Sequence, residues 1–275
     1  MLTPGRLTEA FWERAERLTA LRRAEQQQMQ EYVGLTSGHM EYLVRALDGN
    51  AGAYRPPSIE PVPAEYDTGL AREAVAFLRR TSLPLEPRRQ WPTGGLPQMG
   101  VNGRIAAAFQ AQPGKVLCLW GDAGWGSLVR QGKLRDGRFA DQLVEACAAV
   151  VRSWAPQPAP AWLTCIPSRR HPSLVPDFAC RLAAALNLPF YLVLEKTDDR
   201  PAQKEMANSS QQARNVDGSL RVQGNMPTGP VLLVDDMVDS KWTLTVAAYL
   251  LASHGSAPVY PLALVALAST ANADE

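Results

Sequence analysis

Val231-Leu-Leu-Val-Asp-Asp-Met-Val-Asp-Ser-Lys-Trp-Thr243 brings together residue types that can hold a phosphorylated sugar. Four apolar residues run into two adjacent carboxylates, Asp235 and Asp236. A short polar loop with Asp239, Ser240, Lys241 and Thr243 follows, then an apolar-periodic stretch from Leu244 to Leu251. This pattern predicts a buried parallel strand, a ligand-facing loop and a helix N-terminus. Amides at a helix N-terminus cradle phosphate. Carboxylates at the strand end take ribose hydroxyls or a magnesium ion. Cys165-Ile-Pro-Ser-Arg-Arg-His171 is a second candidate, because Ser168, Arg169 and Arg170 offer donors matched to phosphate oxygens. The commoner fate of an Arg-Arg pair is an ordinary solvated turn. Gln203, Asn208, Ser209, Gln212, Arg214 and Asn215 lie in a polar stretch long enough to form a lid.

A different chemistry is suggested between residues 79 and 104. Arg79, Arg80, Arg88, Arg89 and Arg104 are interleaved with Trp91 and small residues. Arginine with an aromatic supplies phosphate contacts and base stacking, as a nucleic-acid surface requires. Most such clusters are solvated faces, and Trp91 packed under its proline-rich turn is the plain alternative. No nucleophile–base pair stands out. His39, His171 and His254 have no Cys, Asp or Glu at metal-ligand spacing and read as structural or surface residues. There is no Gly-x-x-x-x-Gly-Lys-Ser/Thr sequence, so the chain carries no ATP-binding loop of that type. Cys118, Cys147, Cys165 and Cys180 are widely spaced in apolar contexts, which predicts reduced, buried thiols in a cytoplasmic protein.

The elements that must position these residues follow from periodicity. The chain has 275 residues, is 46% hydrophobic and carries a formal net charge of +1. That composition supports a core, while any nucleic-acid contact must come from a local patch. No apolar run is long enough to span a bilayer, so no membrane partner is expected. Residues 11–47 read as helical with a break at Gly34–Gly38, and Arg55–Pro63 as a stiff proline-rich linker. Residues 67–80 read as a helix, 103–110 as a short helix, and 116–120 as strand or turn. Together they suggest a small winged-helix-like domain over 58–135, after a helical segment over 1–57. From 136 to 275 strands and helices alternate. The helices are 139–154, 175–186 and 242–253, and the strands 162–166, 190–194, 231–234 and 259–265. Residues 196–224 are expected to hold little regular structure. Such alternation predicts an α/β fold whose parallel sheet is covered on both faces. Ligands then sit at the carboxyl ends of the strands, which places 167–171 and 235–243 on one rim.

The acidic stretch resembles the phosphoribosyl-pyrophosphate (PRPP) loop of type I phosphoribosyltransferases: four apolar residues, two acids, two variable residues, Thr-Thr-Gly, one variable residue and Thr. Asp235, Asp236 and Thr243 fit this pattern. Asp239 and Ser240 stand in place of the two threonines, and Lys241 in place of the glycine. Asp239 would sit beside a phosphate unfavourably unless a cation lies between them. Residues 172–189, with Gln203, 212–218 and the acidic strand end, look like the phosphoribosyltransferase-like domain of ComF-type DNA-uptake proteins. Residues 91–95, 121–126, 168–175 and 234–245 look like the C-terminal module of a bacterial subgroup of RecQ-family DNA helicases, a resemblance running from about Leu18 to residue 275. That resemblance implies a type I phosphoribosyltransferase-like domain over 136–275 and a partnership with single-stranded or forked DNA. It also implies a helicase ATPase core, in this chain or another, in DNA repair or recombination. The helicase subgroup has a cysteine-rich zinc element near its first helix; residues 38–53 here contain no cysteine, so zinc is not expected. The departures at Asp239 and Lys241 favour a PRPP site that has lost turnover. The alternatives are an active phosphoribosyltransferase using PRPP and magnesium, and an interaction domain with neither ligand.

Overall fold

The computed structural model of the chain describes residues 9–55, 65–197 and 209–267. It divides into two units, Met1–Glu65 and Tyr66–Glu275. In the first unit, α1 (Glu9–Gly34) and α2 (His39–Ala46) flank the expected break, where Gly38 takes φ 76°. The Tyr42 hydroxyl on α2 donates to the Gln28 carbonyl on α1 at 2.9 Å. Asn50 caps a one-turn 3-10 helix, Ala51–Ala53, by accepting from the Gly52 N–H. No described residue of this unit is buried. The proline-rich linker expected from Arg55 to Pro63 lies, beyond Arg55, outside the described residues.

The second unit begins with α3 (Thr68–Leu78), whose first turn is capped by the Asp67 carboxylate accepting from the Gly69 and Leu70 N–H groups. Then follow β1 (Leu83–Leu85), β2 (Gly114–Leu119), α4 (Gly126–Gln131), α5 (Asp141–Trp154), β3 (Trp162–Cys165) and α6 (Leu174–Leu186). After them come β4 (Leu194–Lys196), α7 (Ser209–Val216), β5 (Leu220–Val222), β6 (Val231–Val238), α8 (Trp242–Ser253) and β7 (Val259–Ala266). Five strands form one sheet in the order β1-β2-β7-β6-β3. β2, β7, β6 and β3 run parallel, and β1 pairs antiparallel with β2 at one edge. β4 and β5 form a separate antiparallel pair.

Strand alternation sorts the core into two layers. Val231 and Leu233 of β6 face one cluster with Trp242, Leu244, Ala247 and Leu251 of α8. Leu232 and Val234 face the other, with Leu143 and Cys147 of α5 and Phe178 and Leu182 of α6. Both faces of β6 and β7 are covered, which is why these strands read as unbroken apolar runs. Each fully buried Leu, Val or Phe adds about 1.5–3 kcal/mol of transfer free energy. Chain direction then creates the site. The connection after β3 leads to α6 on one face, and the connection after its neighbour β6 leads to α8 on the other. The two loops diverge and leave a crevice at the carboxyl ends of the strands.

Several expectations are corrected. Residues 66–135 are not a separate winged-helix-like body: β1 and β2 belong to the same sheet as β3, β6 and β7, and no boundary falls near residue 135. The helix expected over 103–110 is only a 3-10 turn, Ala107–Phe109. Phe190 makes a single bridge to Leu163, and the strand itself is β4, four residues on. The polar stretch 196–224 carries α7 and β5, with residues 198–208, including Gln203 and Asn208, outside the described residues. Cys118, Cys147 and Cys165 are buried as expected, whereas Cys180 is exposed on α6. Burial pushes the Cys118 and Cys165 thiols up to about 12, as an apolar surround disfavours thiolate. No helix of the described residues is long and apolar enough to cross a membrane.

Candidate phosphoribosyl site

β6 runs four residues past its apolar start and carries the acid pair inside the sheet. Asp235 is paired with Ala263 of β7 and is 8% exposed. By alternation it shares a face with Leu233, so its carboxyl lies over the α8 layer. Burial is the main reason its carboxyl is pushed up to about 8, and the neighbouring Asp236 charge adds to the effect. The Asp236 N–H, which donates to Asp235 Oδ1 at 2.8 Å, and the positive charges of Lys133 and Lys196 oppose the rise. The Thr164 hydroxyl of β3 is fully buried on the same face of the sheet, without a partner among the described residues.

Asp236 has an internal counter-ion. Lys133 Nζ stands 2.7 Å from Asp236 Oδ2, with side-chain exposures of 22% and 15%. Lys133 belongs to a π-helical turn, Gly132–Asp136, that prolongs α4. Such turns reset the direction of the side chains that follow them. Gly132 permits this turn: a Cβ there would lie 2.7 Å from the Arg138 carbonyl oxygen and 2.9 Å from the Phe139 ring. The Gly121–Gly126 loop before it is tied to itself. Asp122 accepts from the Leu119 N–H at 3.0 Å and the Gly126 N–H at 2.8 Å.

The loop after β6 keeps the backbone form of a glycine-bearing loop without the glycine. Lys241 has φ 67° and ψ −5°, a left-handed conformation, and caps α8. Its carbonyl accepts from both the Thr245 N–H and the Thr245 hydroxyl at 2.9 Å. Ser240 Oγ is buried with no hydrogen-bond partner among the described residues. The Ser240 carbonyl accepts from Arg88 Nε at 2.8 Å, and the Arg88 guanidinium lies 4.1 Å over the Trp242 ring. Asp239, Lys241 and Thr243 are half-buried. Across the crevice, Arg169 and Arg170 are exposed, and Ser168 Oγ accepts from the His171 N–H at 3.3 Å. The rim therefore holds both expected loops.

The basic stretch is divided three ways. Arg79 donates to the Gly124 carbonyl at 3.2 Å and lies 4.4 Å over Trp125. Arg88 secures the Ser240 loop. Arg80, Arg89 and Arg104 are exposed; the last two belong to paired backbone, since Ile105 N–H donates to Arg89 O and Gln90 bridges Arg104. Trp91 is 7% exposed and packs edge-on against Tyr249 of α8 at 5.3 Å. Its ring is part of the core.

Lys133 and Arg88 are the site residues that motif reading missed in these roles. No spacing pattern links Lys133 to Asp236. The usable signal was a buried strand at 114–119 followed by a tight glycine turn, which would have put Lys133 on the rim. A magnesium ion does not fit this acid pair as it stands. Mg²⁺ demands near-octahedral oxygen ligands, whereas Asp236 is already engaged by an ammonium group. Among the described residues no cluster of three or more His, Cys, Asp or Glu could hold a metal.

No protein-family model matches the chain, and no curated protein matches it. Among solved structures it is similar to an adenine phosphoribosyltransferase at 15% identity and TM-score 0.35, over 72% of this chain and 91% of that one. It is also similar to the adenine phosphoribosyltransferase of Leishmania tarentolae, at 14% identity and TM-score 0.31 over 50% and 77% of the two chains. The enzyme of Leishmania donovani gives 15% and 0.32 over 50% and 68%.

Proposed function

We propose that this chain is a phosphoribosyltransferase-like module that holds a phosphorylated ribose without transferring it, and that it serves a DNA helicase as an accessory part. The observation that carries the first half is the Lys133–Asp236 ion pair. A transferase working on PRPP needs its acid pair for the ribose and for the metal that accompanies pyrophosphate. Here one acid is neutralised by a lysine and the other is buried. Lys241 occupies the glycine position, so its side chain fills space where backbone would approach a phosphate. The acid pair, the α8 N-terminus and the Ser168–Arg170 loop still suit a ribose and its phosphate.

The helicase half rests on the sequence motifs at 91–95, 121–126, 168–175 and 234–245. Exposed Arg80, Arg89, Arg104, Arg169 and Arg170 are candidates for contacts to DNA phosphates. The test has two arms. The purified chain is incubated with PRPP, magnesium and each common nucleobase while pyrophosphate release is followed, and it is titrated with a fluorescent fork. The expected results are no release above the uncatalysed rate and salt-sensitive binding to the fork. Base-dependent pyrophosphate release would overturn the first half; a fork that does not bind at low salt would overturn the second.

A further inference from the structure

We infer that Lys133 takes the place of a divalent cation at the acid pair, so that this site binds the monophosphate ester of a ribose independently of magnesium. The inference rests on the phosphoribosyl reading above and specifies which ligand that site takes.

An ammonium group 2.7 Å from Asp236 Oδ2 already supplies a positive charge where a metal would bind. A dication brought to the same carboxylate would meet the Lys133 ammonium within about 4 Å, where like charges in a partly buried site repel strongly. Mg²⁺ also gives up its water reluctantly. Lys133 is not an exposed arm that drifts away, because it is 22% exposed on a π-helical turn packed against Arg138 and Phe139.

Hydroxyl recognition survives the ion pair. Asp236 as a carboxylate offers about four lone-pair positions, and Asp235, which burial keeps protonated, offers an O–H donor and its remaining acceptor positions. Lys133 uses one on Asp236 and the Asp236 N–H uses one on Asp235. A ribose diol needs acceptors, not a net charge of −2. A pyrophosphate group, in contrast, normally travels with a metal whose charge offsets its own, and this site has no clear place for that metal. The chemical class favoured is therefore ribose 5-phosphate or a nucleoside monophosphate, above PRPP.

The test is calorimetric titration of the full chain with ribose 5-phosphate and with PRPP, each in EDTA and in millimolar magnesium. The expected result is ribose 5-phosphate affinity equal within about twofold in the two buffers. Lys133→Gln should bind at least tenfold more weakly in EDTA and regain affinity with magnesium. Lys133→Arg, which keeps the charge, should stay magnesium-independent, and it carries the test if the Gln variant fails to fold. Binding by the unaltered chain only with magnesium would overturn this inference and leave the phosphoribosyl site standing. Unchanged EDTA affinity in folded Lys133→Gln would also overturn it. Absence of binding of either ligand to every protein would remove the phosphoribosyl reading and this inference with it.

Discussion

Replacing Asp235 with Asn tests the electrostatics of the rim most directly. The carboxyl is 8% exposed and its titration is raised to about 8, chiefly by burial and then by Asp236. The unfolded chain gives an aspartate near 3.9. A group whose folded value is raised keeps its proton in the folded state while the unfolded chain loses it. Its contribution is fully present below about pH 4 and is lost as pH rises through about 8. A gap of about 4 units at about 1.4 kcal/mol each sets an upper bound of roughly 5–6 kcal/mol. Of this, the roughly 2.5 units between pH 5.5 and 8 carry about 3–3.5 kcal/mol, which local relaxation lowers to a working expectation of about 2–3 kcal/mol over that window. The introduced amide would resemble the protonated acid, and its carbonyl oxygen can still accept from the Asp236 N–H. Urea unfolding followed by tryptophan fluorescence, at pH 5.5 and 8.5, reads the effect. The unaltered chain should lose about 2–3 kcal/mol between the two. The Asp235→Asn variant should change far less and be the more stable protein at pH 8.5. Equal pH slopes for the two, or a wild-type chain that gains stability as pH rises, would refute the reasoning.

Three further outcomes are expected. Lys241→Gly should raise stability by about 0.5–1 kcal/mol in the same assay, because it relieves a left-handed residue at φ 67° that costs about 1–2 kcal/mol, less the entropy glycine adds to the unfolded chain. Trp91→Ala should cost about 3–5 kcal/mol by thermal or urea unfolding, as removal of a 7%-exposed ring packed on Tyr249 opens a cavity; a loss below about 1 kcal/mol would show that the ring is not part of the core. Replacing Arg80, Arg89 and Arg104 together with Ala should weaken fork binding for all sequences alike and flatten the log–log salt dependence by about three units if each contacts one phosphate; an unchanged slope would move the contact to Arg169 and Arg170.

Local pattern was enough for much of the second unit. Four apolar residues before Asp235 announced a strand covered on both faces, and α8 begins at Trp242 and ends at Ser253 as its periodicity indicated. The α/β alternation from 139 onward is enough to place the 167–171 and 235–243 loops on one rim, and β3 and β6 are parallel neighbours. Each of these conclusions needs only the period of side-chain burial along one element, a property of neighbouring residues.

What the tertiary structure alone decided concerns partners distant in sequence. β2 reads the same whether it belongs to a small domain or to the main sheet, because its hydrogen-bond partner β7 is at the other end of the chain. Only that pairing brings the turn after β2, and with it Lys133, to the carboxyl ends of β6 and β3. The same holds for Arg88 and Trp91. Arginine beside tryptophan has one composition whether it faces nucleic acid or a protein core, and here α8 and its loop receive both side chains. The acidic loop was therefore legible as a strand end, a polar loop and a helix N-terminus. Whether its charge remained available depended on a lysine 103 positions away from Asp236, brought to 2.7 Å by the folding of the sheet.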